Sequence, residues 1–405
     1  MKKQYYLLFL IFLFLIYACK EETETEIEYL KKNSSILARE LNYNLSEFEF
    51  LDEDVESNTV FFLGESHAVA DNFLIDYKLF TYLVKEKGFK YYIAELGYSL
   101  SYYLNQYLET GNEHILVEIY KELYGTYAYT ENHYYFWKNI YSFNQTLPEE
   151  KRIKIFGLDI EHQDKLASKL ILEILPDASP PPEIEEYIEK LKLNNGKIVE
   201  TNICDSFINH LKNYEGIYKN YLGENFFHFK IVVRGYINKI LAYKNRDSFF
   251  YEFREPHIYN TYIDIFNKYP NEKFYGLWGG GHTLTSPYLT SYTEEDELCF
   301  AAMLAQDSSI INGKVISIKM AYIDCEYADK SRNYVATPSE LNIYNSDLLE
   351  AVSDSLVLYK LNSNESPFNE KVYFLDNNSS GSTVNYFQYI LKIKGSLAAK
   401  KLNLP

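Results

Sequence analysis

The chain has 405 residues, 47% of them hydrophobic, and a formal charge of −17. That length holds one large α/β domain or a core with a helical insertion, and the apolar share is that of a globular protein. So acidic a chain is excluded from unaided binding to nucleic acid or to a bare anionic lipid surface.

In chain order, Lys2 and Lys3 head an apolar and aromatic run from Tyr5 to Ala18. The run is too short for a spanning helix, which needs roughly 20 residues, and has the length of a signal-peptide core. Ile16-Tyr17-Ala18-Cys19 follows and resembles the lipobox of bacterial lipoproteins, with Tyr17 bulkier than usual. The expectation is a signal peptide over residues 1–18, lipidation of Cys19, and a tether with a leading helix over 19–50. The protein would then be extracytoplasmic, held at the outer membrane or cell surface by its lipid. An uncleaved membrane anchor would leave the bulk of the chain on the same side. Loss of Lys2 and Lys3 with the signal moves the charge from −17 to −19. Lys20-Glu21-Glu22 resembles the surface-export tag of some Gram-negative lipoproteins, or is a plain solvated linker.

Helical periodicity covers Glu26 to Leu41. Thr59 to Leu63 reads as a buried strand, Asp71 to Lys87 as a helix ended by Gly88, and Lys90 to Ala94 as a second strand closed by Glu95. A strand-helix-strand unit of this size favours parallel pairing. Helices are expected over Tyr98–Leu108 and Asn132–Gln145, and a strand over Arg152–Phe156. Pro180-Pro181-Pro182 breaks the pattern, and 183–247 reads as a helical insertion or cap. A helix over 251–269 and strands over 273–278, 315–319, 355–361 and 371–375 complete the reading. The fold class is α/β, a mostly parallel central sheet flanked by helices, with core segments 51–180 and 251–405 separated by the insertion at 181–250. Besides Cys19 there are Cys204, Cys299 and Cys325, an odd number that allows one bridge and no full disulfide framework.

Four polar turns recur at the carboxyl ends of expected strands: Gly64-Glu65-Ser66-His67, Glu95, Gly157-Leu158-Asp159 and Gly279-Gly280-Gly281-His282. Ligands of open parallel sheets bind at these ends. Singly, each histidine could be an ordinary loop residue, and Glu95 or Asp159 a helix cap. Together they point to one shared site, where a histidine moves a proton and a carboxylate fixes its tautomer.

These residues carry a resemblance. Gly64-Glu65-Ser66-His67, the helix with Phe73, Tyr77, Phe80 and Leu83, and the strand ending Ala94-Glu95 resemble the opening of the erythromycin esterase-like family. Phe136-Trp137, Phe156 to Asp159, Arg254-Glu255 and the Phe274 to His282 segment are similar to its later motifs. Two Gly-x-x-His turns link that family to a wider group that includes haem-binding lipoproteins and membrane-associated metalloproteases. The resemblance implies His67 as the base that activates water, with Glu65 and Glu95 orienting it. It implies that His282 and Arg254 stabilise an oxyanion, and that Asp159 is a supporting carboxylate. It implies neither a metal nor a nucleophilic serine, and Ser66 lacks the Gly-x-Ser-x-Gly elbow. Gly279, Gly280 and Gly281 stand where those esterases carry a His-Asn pair, so the implied substrate is a small molecule with an ester or related bond rather than a macrolide.

Three functions follow in order. The first is a metal-independent ester or lactone hydrolase. The second is a metal-dependent hydrolase or peptidase with a divalent ion on His67, Glu95 and His282, although HExxH spacing is absent. The third is a haem- or iron-binding lipoprotein.

Overall fold

The computed structural model describes residues 25–199, 201–245, 250–288, 298–309, 311–339, 343–375 and 379–404. The signal segment 1–18 and Cys19 lie outside the described residues. Ten strands are present among them: β1 (Ser34–Ile36), β2 (Val60–Glu65), β3 (Tyr91–Gly97), β4 (Lys154–Asp159), β5 (Phe274–Gly279), β6 (Val315–Ile323), β7 (Glu326–Asp329), β8 (Val335–Pro338), β9 (Leu356–Lys360) and β10 (Tyr389–Lys394). Eight form one sheet in the order β1-β9-β10-β6-β2-β5-β3-β4, and β7 and β8 form a separate hairpin. From β4 across to β10 every pairing is parallel. The sheet turns antiparallel only at β9, which pairs with β10 on one side and β1 on the other.

Composition explains the centre. Val60, Phe61, Phe62 and Leu63 are all fully buried, the continuous apolar run of a strand covered by helices on both faces. After β2, helix Asp71–Lys87 crosses over the sheet and stops at Gly88, whose φ of 71° ends it in the left-handed conformation. The chain then passes the future place of β5, lays down β3 and β4, and only later returns to insert β5 between β3 and β2. The order of strands therefore reverses beside β2, and such a switch point opens a crevice at the carboxyl ends.

Two expectations are corrected. The helix expected over Glu26–Leu41 spans residues 25–32 and gives way to β1. Asn33 ends it, its side chain donating to Tyr29 O at 2.9 Å, and Ser34 to Ile36 pair with β9 instead. Residues 371–375 form no strand. Phe374 has a φ of 64°, which breaks an extended run, and Tyr373 N–H donates to the Thr383 hydroxyl at 2.8 Å. The Pro-flanked segment holds helices Pro182–Leu193, Thr201–Asn213, Glu215–Leu222 and Phe226–Lys244. Ile184, Ile188, Phe229 and Val232 of these are buried in the same hydrophobic cluster as β2, so the helices extend the main core. Cys204, Cys299 and Cys325 are buried, and no disulfide joins them to one another among the described residues.

The segment after β10 returns across the carboxyl end of β2. Ala70 N–H donates to Leu397 O at 2.9 Å, and Ala399 N–H to Ala68 O at 2.9 Å. Farther on, Glu131 N–H donates to Lys400 O at 2.7 Å. One short strap thus holds both the turn after His67 and the loop before helix Glu131–Asn144.

Candidate active site

Each of the six expected residues lies at the carboxyl end of the sheet or faces it. Glu65 ends β2 and Asp159 ends β4, while Glu95 lies within β3. The pairing of β3 with β4 slips between Ala94 and Gly97, a bulge that takes Glu95 out of the ladder and re-aims its side chain. His67 lies in the turn after β2, and His282 in the short helical turn Gly280–Thr283 after β5. Arg254 reaches in from helix Phe250–Lys268. Two glycines let these turns meet. A Cβ on Gly64 would collide with the Thr283 hydroxyl, and one on Gly279 would stand 3.3 Å from Glu95 Oε2 and 3.4 Å from His67 Cε1.

The site has two parts. In the first, His67 Nδ1 lies 2.8 Å from Glu65 Oε1. Glu65 Oε2 accepts from the Asn72 amide, which also donates to Ser66 O at 2.7 Å. Tyr322 on β6 closes the ring: it accepts from Ser66 N–H at 2.9 Å and donates to Asn72 Oδ1 at 2.9 Å. The His67 side chain is 42% exposed and stacks on Tyr127 at 5.6 Å between centroids. The next residue, Ala68, has a φ of 63°, a left-handed conformation that costs a non-glycine residue about 1–2 kcal/mol. Ala68 O accepts from both Ala328 N–H and Ala399 N–H, so surrounding structure holds the turn in that shape.

The second part is buried. Arg254 Nε donates to Asp159 Oδ1 at 2.8 Å, and its NH2 donates to Asp159 Oδ2 and to Glu95 Oε1, both at 2.7 Å. Its NH1 lies 3.0 Å from His282 Nε2. His282 Nε2 also lies 3.4 Å from Glu95 Oε1 and its Nδ1 2.7 Å from Glu255 Oε1. Burial and the Arg254 guanidinium oppose charge on the ring, and the two carboxylates outweigh them and raise it above its ordinary value. Glu255 Oε2 accepts from Phe300 N–H at 2.8 Å. Glu95 Oε2 accepts from Gly279 N–H at 2.7 Å, which ties β3 to the glycine turn.

Charge follows geometry. Burial raises the Glu95 carboxyl, but His282, Arg254 and His67 outweigh it and hold it at about 2. Burial likewise raises Asp159, and the Arg254 guanidinium brings it well below the usual carboxylate range. Burial opposes charge on His67, yet the hydrogen bond and field of Glu65, helped by Glu95, push it up to about 9. With nearly half of the side chain open to water, that opposition is partial. At pH 7 the imidazole is therefore mostly protonated.

Two cavities meet at this cluster, and Glu65, His67, Glu95 and Arg254 line both. The larger, about 490 Å³, has walls of Phe73, Tyr92, Tyr124, Tyr127 and Trp137. Much of the remaining wall comes from residues 122–137, and of the segment 183–247 Tyr243 alone lines the cavity among the described residues. The smaller, about 400 Å³, is bounded by the three glycines, Glu255, His282, Tyr251 and Tyr288. Asn72, Tyr322 and Tyr127 had no signal in the sequence pattern. Glu255 did, as the acid beside Arg254.

The donor set His67, Glu95 and His282 does not suit a divalent ion in this arrangement. His282 Nε2 is taken by the Arg254 guanidinium, and a metal there would sit against a fixed cation.

A mostly parallel eight-stranded sheet flanked by helices, with a polar cluster at its carboxyl ends, is thus the class of architecture. The fold is shared with solved structures. A protein from Bacillus cereus aligns with a TM-score of 0.71 at 16% identity, over 94% of this chain and 99% of that one. A succinoglycan biosynthesis protein aligns at 0.72 and 14%, over 93% and 98%. A histidine-to-asparagine mutant of the erythromycin esterase EreC, in its open conformation, aligns at 0.66 and 15%, over 92% and 100%. At such identities the likeness establishes the fold. No protein-family model and no curated protein matches the chain.

Proposed function

We propose that this chain is a lipid-anchored, extracytoplasmic hydrolase that cleaves an ester or lactone bond with a water activated by His67. One observation carries the reading: Glu65 occupies Nδ1 of His67, which leaves Nε2 of a half-exposed ring as the nitrogen available to a water in the cleft. The Glu65 carboxylate fixes that tautomer and stabilises the imidazolium that forms when the proton arrives. Among its neighbours, Arg254 uses Nε, both hydrogens of NH2 and one of NH1. The second NH1 hydrogen remains for an oxygen that gains charge in the transition state. Glu95, Asp159 and His282 hold that guanidinium in place. The fold shared with an erythromycin esterase supports the reaction class, and the glycine turn at 279–281 argues for a different ester.

The test is turnover across a panel of activated esters and lactones. Wild-type protein should hydrolyse at least one, His67→Ala should lose about 10²–10⁴ of that rate, and a chelator should leave it unchanged. Equal rates in the variant would overturn the assignment. The anchor rests on Ile16 to Cys19: Cys19→Ser should shift the protein out of the detergent phase, and its retention there would count against lipidation.

A further inference from the structure

At the other end of the sheet lies a cavity of about 680 Å³, beside the start of β4 and between helix Tyr98–Thr110 and the end of helix Phe250–Lys268. Edge strands usually expose a row of backbone donors and acceptors. Here Asn105 replaces the missing neighbour, accepting from Ile155 N–H at 2.9 Å and donating to Ile155 O at 2.7 Å. The wall of the cavity is therefore side chain rather than open backbone.

Those side chains are unusual for so acidic a protein. Lys90, Arg152, Lys154 and Lys268 line the cavity against the carboxylates of Glu109 and Glu149 alone. No ion pair among the described residues includes any of the four cations, whereas lysines elsewhere, such as Lys78, Lys165 and Lys230, meet carboxylates within 3 Å. Lys268 instead lies 3.9 Å above the Phe227 ring, and Lys154 lies 5.9 Å above that of Tyr269. Arg152 Nε is buried and has no acceptor among the described residues, a costly state for a charged donor. Burial and the neighbouring Lys154 lower the ammonium of Lys268, against the opposing pull of Glu224. Burial and Lys268 hold His228 at about 4, so His228 is neutral and adds an aromatic face rather than charge. Tyr98, Tyr102 and Phe156 supply the rest of the floor.

We propose that this cavity binds an organic anion: a phosphate or carboxylate head held by Arg152 and the three lysines, on an aromatic or apolar body that lies along the tyrosines. The volume is within the usual range for small-molecule sites. The anion could be free in solution or the headgroup of a lipid in the membrane that the proposed anchor enters.

The test is calorimetric titration of the full chain in nonionic micelles with phenyl phosphate, and competition by micelles that contain phosphatidylglycerol. Saturable binding of phenyl phosphate that weakens with salt, and about tenfold or more in Arg152→Gln, supports a soluble anion. Displacement of phenyl phosphate by phosphatidylglycerol micelles supports a headgroup. Lys268→Gln alters an exposed residue and should weaken binding without touching the fold, while Lys169→Gln, outside the cavity, should leave it unchanged. Absence of binding by both probes, or equal affinity in Arg152→Gln and Lys268→Gln, overturns the proposal. Ester turnover is a separate measurement and decides neither result.

Discussion

The two parts of the candidate active site are built from the same residue types and differ in water access. The Glu65–His67 pair is half open and makes one contact that can exchange a proton. The Asp159–Arg254–Glu95–His282–Glu255 chain is buried, and nearly every donor and acceptor in it is committed. A site needs both kinds: a group whose charge can change, and fixed charges that do not reorganise when it does. In the proposed reaction the open pair would move the proton and the buried chain would be its frame.

Arg254→Ala should break that comparison most severely. It leaves Asp159 and Glu95 buried without their cation, and such losses cost about 3–5 kcal/mol. Urea unfolding should show it, whereas His67→Ala, at a half-exposed side chain, should cost less. An unfolding midpoint unchanged by Arg254→Ala would make the frame dispensable. Next in size is the pH dependence. If neutral His67 is the base, kcat/KM should climb with pH and level off only near 9, rather than near the 6.5 of an ordinary histidine. The same group sets a stability term. Its pKa is raised in the folded state, so its stabilising share is complete below 6.5 and is lost as pH rises through 9. A rate that instead falls through pH 9 would assign His67 as an acid. The smallest effect belongs to Asn72→Ala, which frees one oxygen of Glu65 and leaves the ring contact in place. It should lower kcat by about tenfold with KM unchanged, since it orients a carboxylate that touches no substrate. An unaltered kcat would show that Glu65 needs no such support.

The strand ends were legible because Gly64, Glu95, Gly157 and Gly279 punctuate apolar runs that admit one reading. The inner residues of the site were legible only as isolated polar turns, since convergence needs the insertion of β5 between β3 and β2. Strand β10 carries no clear pattern because Lys392 and Lys394 interrupt its apolar run, although Lys392 is fully buried and its ammonium donates to Val352 O. Tyr322 escaped for a different reason: it lies some 250 positions from the turn that it braces, and no local spacing reports such a contact. Periodicity carries the expected helix 26–41 through Asn33 to Ile36, whereas the competing pairing with β9 lies far along the chain.

The strap formed by residues 397–400 has a consequence for biosynthesis. A nascent chain that stops short of it already contains all six polar groups, yet has only the Ala328 contact on Ala68 O and lacks those of Leu397 and Ala399. The geometry of the proposed reaction would then be complete only once this strap docks, and a protease cutting near residue 396 would remove two backbone contacts of the turn without touching any of the six side chains.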